Sequence, residues 1–229
     1  MGEVLIDAYR LSLKEVNARI REAIAKGFKV KVKNAERVYG LAAGIDGGEV
    51  EVEGNIGERA AMLIGRREQK ERGEMGPKIV INGNAGAYLA DNAWAGEVVV
   101  RGSAGNHIGV YAYGGTVVVY GDAGDGVGQL LKGATVIVDG SVGDSVGLYM
   151  VGGTVVITGD AGEALGDWIV GGEIFIAGEC KGLGNNAQEV SLTDQDREKL
   201  KALLGKYGIN TNVEGFRKII PIKLRPFYG

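Results

Sequence analysis

The sequence predicts an all-β protein, a right-handed parallel β-helix of about seven to eight coils with N- and C-terminal capping helices. Three observations lead to this prediction: a glycine-anchored repeat, β-branched columns between the glycines, and a helical pattern on each flank. The repeat is most visible where GGTVVVYGDAG at residues 114–124 returns as GGTVVITGDAG at residues 152–162. Such internal repetition indicates an architecture of stacked units.

One glycine, called the anchor glycine here, closes each apolar run of the repeat. The anchor glycines are Gly54, Gly83, Gly102, Gly121, Gly140, Gly159 and Gly178. From Gly83 onward every interval is 19 residues, and the first interval is 29 because it includes a charged stretch at 65–77. This stretch is nearly balanced in charge and is expected to be a solvated excursion. A 19-residue unit is too short for a propeller blade and fits one coil of a parallel β-helix.

Columns of like residues stand at fixed distances from the anchor glycines. Four residues and two residues before the anchor, every repeat has valine or isoleucine. In a strand these two positions point the same way, because side chains alternate between faces. Further small or aliphatic columns stand two, six and ten residues after the anchor, so five inward columns would enclose one core. The anchors and the glycines three and seven residues after them are expected at turns with positive φ.

Helical patterns flank the repeats. Ser12 and Glu15 have capping-box spacing before an amphipathic stretch that ends at Gly27. Thr193 and Asp196 have the same spacing before a second helix. These signals predict one capping helix on each side of the coils.

The tail, FRKIIPIKLRPFYG, contains two prolines and no helical period. It is expected to run extended over the surface or onto a neighbouring chain. The predicted organisation is an N-terminal capping helix segment at 1–29, the parallel β-helix at 30–190, and a C-terminal helix with an extended tail at 191–229.

The composition restricts the function classes. A formal net charge of −3 gives no electrostatic reason to bind nucleic acid or an anionic membrane. The single cysteine, Cys180, cannot form an internal disulfide and suits a reducing compartment. The sequence has neither a stretch long and apolar enough to span a membrane nor the pattern of a signal peptide. A cytoplasmic protein without nucleic-acid or membrane partners is therefore expected.

Few side chains are suited to catalysis or metal binding. His107 is the only histidine, so a two-histidine metal site cannot form, and its turn position favours a solvated role. Cys180 falls in an inward column, which favours an inert buried thiol. Acidic pairs such as Asp122 and Asp125 could offer oxygens to calcium, but serine and alanine interrupt both columns. These side chains are expected to bond their own backbone in turns. We therefore predict no catalytic residue, no cofactor-binding residue and no metal ligand on this chain.

Three outward columns are apolar, which is uncommon on a soluble monomer. The middle residue of each strand should face solvent, yet it is apolar in six consecutive repeats, and the columns nine and eleven residues past the anchor contain aromatic residues. The chain's own tail, a second copy or a different chain must cover these ladders. Another chain is favoured, because three columns exceed what the C-terminal residues readily cover. The residues predicted to contact it are Val99, Val118, Ile137, Val156, Phe175, Tyr111, Tyr149 and Trp168.

The glycine pattern resembles that of a known family. G-x-x-G-x-x-x-G occurs as GDAGDGVG at 121–128, GSVGDSVG at 140–147 and GDAGEALG at 159–166. It resembles the glycine-repeat (GXGXG) domain that ends the large subunit of glutamate synthase and that is a separate polypeptide in some prokaryotes. It is also similar to the related subunits of N-methylglutamate synthase and formylmethanofuran dehydrogenase. The likeness covers roughly residues 30–190, and the flanks look more like the stand-alone glutamate-synthase form.

The resemblance implies a right-handed β-helix without catalytic residues, within an oxidoreductase complex of nitrogen metabolism. The implied partners are a glutamine amidotransferase subunit and an FMN-binding synthase subunit, with FMN and iron–sulfur clusters on these partners and no cofactor on this chain. The implied role is to hold both chains so that ammonia passes between them during glutamate biosynthesis. The alternatives are a component of a formylmethanofuran dehydrogenase or N-methylglutamate synthase complex, and a β-helix scaffold that associates with itself. An autonomous enzyme is disfavoured by the single histidine.

Overall fold

The computed structural model describes residues 2–224 and contains nine strands stacked along one side of a solenoid. The strands are β1 (Glu3–Asp7), β2 (Lys29–Lys33), β3 (Glu49–Glu53), β4 (Lys78–Ile81), β5 (Glu97–Val100), β6 (Thr116–Val119), β7 (Lys132–Val138), β8 (Gly152–Ile157) and β9 (Glu173–Ile176). Each strand pairs in parallel with the next in sequence, so the chain makes about eight coils. The predicted parallel β-helix is confirmed.

The coils stack in register, so equivalent residues of successive coils lie side by side in adjacent strands. Val98, Val117, Val136 and Val155 are direct partners in consecutive strands, as the 19-residue interval predicts. The five predicted inward columns belong to one continuous hydrophobic core. Burying a valine or isoleucine contributes about 1.5–3 kcal/mol, so every added coil extends a stabilising interior.

The sheet begins earlier than the glycine repeat. β1 lies inside the segment 1–29, for which only a helix was predicted, and it pairs in register with β2. Two features conceal these first rungs in the sequence. A helix separates β1 from β2, and Asn34 stands where later coils have the anchor glycine. Asn34 has a φ of 59° and Gly54 one of 88°, and asparagine tolerates this conformation better than most residues.

Within residues 2–224 the chain forms three short α-helices, α1 (Leu13–Ala25), α2 (Arg67–Arg72) and α3 (Asp194–Lys206). Both predicted capping boxes form, at the starts of α1 and α3. α1 packs Val16 and Ile20 onto the first coils and closes that end of the core. Its buried Asn17 donates to the carbonyl of Gly40 at 3.0 Å and accepts from the N–H of Ala42 at 2.7 Å, which fastens the helix to the adjoining coil.

The C-terminal segment extends the sheet and then covers it. β10 (Ala187–Val190) and β11 (Arg217–Pro221) are antiparallel, and β11 lies between β9 and β10. Helix α3 lies against the outer face of the sheet, not across the end of the coils. Part of the predicted extended tail is therefore strand β11, and residues 225–229 of that tail lie outside the described residues.

The repeated glycines meet two different requirements. From Gly83 onward the anchors do not have positive φ. They are glycine because adjacent coils approach closely: a Cβ at Gly140 would lie 2.7 Å from the carbonyl carbon and oxygen of Gly121. The glycines three residues later are crowded in the same way, whereas those seven residues later, such as Gly128 at 66°, have positive φ. The prediction of positive φ is therefore confirmed for the glycines seven residues after the anchor. It is wrong for the anchors from Gly83 onward and for the glycines three residues after the anchor.

Gly140→Ala should lower the free energy of unfolding by about 1–3 kcal/mol, because the added methyl group overlaps the backbone of the preceding coil. Gly205→Ala is the matched control. Gly205 lies in α3 with open space around it, so alanine should leave stability unchanged or raise it by up to about 1 kcal/mol. Urea denaturation of both variants checks the pair, and equal midpoints would contradict the close-approach explanation.

Candidate partner interface

The outward apolar ladder of the sheet is covered by the chain itself. Val118, Ile137, Val156 and Phe175 are each 0% exposed. They pack against α3 and the segment that follows it, through Leu200, Leu204, Ile209, Val213 and Phe216. The structure corrects the prediction that these four side chains contact a partner, because the chain's own C-terminal segment already removes them from water.

Val99, the fifth predicted ladder residue, lies at the edge of this cover. It is 5% exposed and, with Val80, lines a cavity of about 400 Å³ beside the end of α3. Tyr207 closes the cavity on one side. Its hydroxyl donates to Glu97 at 2.6 Å, and its carbonyl accepts from the hydroxyl of Tyr120 at 2.6 Å. Burial alone would raise the pKa of Glu97, but its hydrogen bonds, including that from Tyr207, lower it.

A change of residue type marks where the cover ends. In β2 and β3 the outward residues are charged and pair across strands, as Lys29 does with Glu51 at 3.4 Å and Lys31 with Glu53 at 3.6 Å. From β4 onward the middle outward position, which is Lys31 in β2 and Glu51 in β3, is apolar, as at Val80. The 13 residues of α3 span about 20 Å, enough to cross the roughly 14 Å between β6 and β9. This comparison of lengths is the sequence signal that could have identified α3 as the cover.

A cluster of ion pairs fastens the cover to the sheet. Lys218 of β11 donates to Asp196 at 2.6 Å and lies 2.7 Å from Glu173, which also pairs with Lys199. Burial alone would raise the pKa of Asp196, but hydrogen bonds from Lys218 and from Thr193 outweigh it and lower this pKa to about 2. Burial alone would also raise the pKa of Glu173, but the hydrogen bonds from Lys199 and Lys218 lower it. These charges are therefore ionised and paired at neutral pH.

The columns nine and eleven residues past the anchor form a second outward surface, which we call the aromatic face. One column contains Leu63, Asn92, Tyr111, Leu130, Tyr149 and Trp168, and the other contains Trp94, Tyr113, Lys132, Val151 and Val170. Tyr111 is 40%, Tyr149 38% and Val151 50% exposed. Of the residues predicted to contact a partner, Tyr111, Tyr149 and Trp168 thus share this face, on different elements from the buried ladder.

An unusual backbone holds the aromatic face. All six residues of the nine-past column have φ between 51° and 58°, a region that bulky side chains seldom occupy. Stacking enforces it, because their N–H groups donate to the next coil, as Tyr111 does to Gln129 at 3.1 Å and Trp168 to Asn185 at 2.7 Å. Such strain persists only where the surrounding structure over-determines it. The stacked coils therefore hold the backbone of this face in one conformation.

Neighbouring rings and an ammonium group organise the centre of the aromatic face. The rings of Trp94 and Tyr113 stack in parallel, with centroids 3.9 Å apart and 5° between planes. Lys132 donates from Nζ to the Tyr113 hydroxyl at 2.6 Å. The ammonium of Lys70, on α2, lies 5.9 Å from the Tyr113 ring centre. The arrangement presents aromatic surface and positive charge together.

His107 belongs to a stacked column and is half-buried rather than solvated in a turn. Its ring stacks on Tyr88 with centroids 4.8 Å apart, and the Nδ1 atom is buried without a hydrogen-bond partner. Arg59 lies 4.5 Å over the same tyrosine and pairs with Asp91 at 2.9 Å. Burial raises the pKa of Asp91, although Asn92 and Arg59 oppose the rise.

The polar columns one and four residues past the anchor are hydrogen-bond ladders between coils. Asp122 accepts from the N–H of Ser141 at 2.8 Å, and Asp125 accepts from that of Asp144 at 2.8 Å. The expectation that they bond their own turns is therefore corrected, since the donors lie 19 residues away. Within residues 2–224, no three His, Cys, Asp or Glu side chains form a group that could hold a metal ion. Cys180 is half-buried and packs against the core.

With this geometry in place, comparison with known proteins identifies the family. The sequence model of the GXGXG motif matches residues 104–222, just over half of the chain. The chain belongs to the GXGXG motif family. This is the family of the glutamate synthase C-terminal domain. The match to the GXGXG family spans strands β6 to β9 together with α3 and β11.

A search of curated proteins finds no match to this chain. None of the helices between residues 2 and 224 has the length and apolar character that a membrane span requires.

Ile137→Asp should lower the free energy of unfolding by about 3–5 kcal/mol or more, because it places an unpaired carboxylate between the sheet and α3 of the GXGXG domain. Val151→Asp introduces the same charge at a half-exposed position of the aromatic face and should cost less than about 1 kcal/mol. Thermal and urea unfolding measure both. A stable, cooperatively folded Ile137→Asp variant would show that α3 is not the cover in solution.

The ion pairs of the cover should make stability acid-sensitive. The folded-state pKa of Asp196, about 2, is below its ordinary value of 3.8, so its contribution is present above pH 4 and is lost as the pH falls to 2. The loss should be about 2 kcal/mol. Urea denaturation between pH 6 and 2 should show a shallower fall for Asp196→Asn than for wild type. Asp194→Asn, in the same turn but fully exposed, is the control, and identical profiles for wild type and Asp196→Asn would contradict this assignment.

Proposed function

We propose that this chain is a structural subunit of a glutamate-synthase-like complex. It holds a glutamine amidotransferase chain and an FMN-dependent synthase chain in fixed positions for ammonia transfer between them. The observation that carries the proposal is the GXGXG match, which spans the regular coils and their C-terminal cover. On this proposal glutamine hydrolysis and the reductive step occur on the partner chains, which bind FMN and iron–sulfur clusters.

The architecture is suited to the role of a spacer. Nine strands in register make a rod whose eight steps of about 4.8 Å extend for about 38 Å. Each coil is hydrogen-bonded to the coils beside it, and its interior is filled with side chains. Close-packed interiors deform little under load. Two chains bound to such a rod would keep a constant separation.

A second candidate function is a scaffold that associates with copies of itself. The exposed aromatic face favours it, because apolar and aromatic groups exposed together are typical of association surfaces. Components of formylmethanofuran dehydrogenase or N-methylglutamate synthase complexes would use the same fold with other partners. The test below separates these from a glutamate-synthase-like role by the partner chains that bind.

The chain should couple glutamine use to glutamate formation. When it is purified with the amidotransferase and synthase chains of the same organism, all three should elute as one complex. Omitting this chain should lower glutamine-dependent glutamate formation by at least about tenfold, the scale of effect expected when a positioned reactant is lost. Synthesis from added ammonium chloride should be retained, because bulk ammonia replaces the channelled supply. Equal glutamine-dependent rates with and without the chain would contradict the proposal, and the Ile137→Asp variant serves as a destabilised control.

A further inference from the structure

The aromatic face holds two ammonium groups that pair with no carboxylate among residues 2–224. Lys132 lies 4.2 Å from the ring centre of Tyr113 and 5.3 Å from that of Tyr111, and its hydrogen bond goes to the Tyr113 hydroxyl. The ammonium of Lys70 lies 5.9 Å from the centre of the same Tyr113 ring. The outward strand lysines behave differently, since Lys29 and Lys31 each lie within salt-bridge distance of two carboxylates. The two face lysines are therefore a local excess of positive charge on a chain with a net charge of −3.

Helix α2 fixes the position of Lys70. Gln69 donates to the carbonyl of Asp46 at 2.7 Å, and Arg66 forms an ion pair with the Asp46 carboxylate. The aliphatic part of the Lys70 side chain passes over Gly114, where a Cβ added to this glycine would lie 3.2 Å from it. The ammonium group of Lys70 lies beside Gly133. The ten-residue enlargement of this coil thus delivers one cation to the aromatic face.

We infer that the aromatic face binds an acidic segment of a partner polypeptide. Its carboxylates would pair with Lys70 and Lys132, and its apolar or aromatic side chains would pack on Tyr111, Tyr113 and Val151. Charge complementarity selects this occupant, because rings alone would accept any apolar surface whereas two unpaired ammonium groups favour carboxylates. The inference rests on the proposed function in one respect: the segment belongs to the amidotransferase or the synthase chain.

A second copy of this chain fits the face less well. In a two-fold symmetric dimer the same patch appears on both sides of the interface. Lys70 and Lys132 would then approach the same lysines of the other copy, and like charges in an interface oppose association. The face is therefore matched to a different chain of opposite local charge.

The charge-reversal variant Lys70→Glu/Lys132→Glu tests the inference against the control Lys14→Glu/Lys201→Glu. The control makes the same change in net charge at exposed positions of α1 and α3. Binding to the purified amidotransferase and synthase chains is measured by calorimetry. The face variant should bind its partner at least about 100-fold more weakly, about tenfold for each lysine, and the control should bind like wild type. Added salt should weaken wild-type binding more than it weakens binding of the face variant.

A synthetic peptide of alternating glutamate and tyrosine residues provides a second readout that needs no partner chain. The two tryptophans of this protein, Trp94 and Trp168, both lie in the aromatic face, so their fluorescence reports binding there. The emission of wild type and control should change with this peptide and not with its lysine–tyrosine analogue. The emission of the face variant should not change with the acidic peptide.

The outcomes separate the two proposals. Peptide binding at the lysines without binding to either chain would support the inference and refute the proposed function. Partner chains that bind wild type and face variant equally would overturn the inference and leave the proposed function standing. A wild type that binds neither the peptide nor a partner chain would overturn the inference. So would a dimer of the chain alone that the face variant converts to monomer in light scattering, because the occupant would then be a second copy.

Discussion

The structure depends on the close, in-register approach of adjacent coils. The N–H of Gly121 donates to the carbonyl of Gly102 at 3.0 Å, and the Asp122 side chain continues the ladder to the N–H of Ser141. A coil one residue longer would move valines of an inward column to the outside, because side-chain direction alternates with every residue. The fixed 19-residue interval and the crowded glycines are both consequences of this contact.

The same stacking repeats every outward position, so each outer column becomes a ladder that must be solvated or covered. The ladder over β2 and β3 is made of lysine and glutamate and is solvated. The ladder over β6 to β9 is apolar and lies under α3. The aromatic face is the remaining ladder with large apolar groups, and Tyr111, Tyr149 and Val151 are still exposed on it.

The regular coils were predictable because periodicity and β-branched columns act within each repeat, as the pairing of Val117 with Val136 shows. Strand β1 was missed because a helix separates it from β2 and because Asn34, not glycine, closes the first coil. The strand β11 was missed because its antiparallel partners β9 and β10 are distant in sequence. The outward ladder was identified from its residues but assigned to the wrong cover. A sequence shows that Ile137 is apolar, whereas only packing shows that Leu200 and Leu204 belong to the group that lies over it.

The two apolar outer surfaces differ in how their charges are balanced. Around the covered ladder, the ammonium of Lys218 is matched by the carboxylates of Asp196 and Glu173, as expected of an interface that is complete within one chain. On the aromatic face, the ammonium groups of Lys70 and Lys132 face rings rather than carboxylates. Rings with unpaired cations are what the proposed acidic segment would complement. The charge pattern thus distinguishes the surface that this chain covers itself from the surface to which we assign an acidic partner segment.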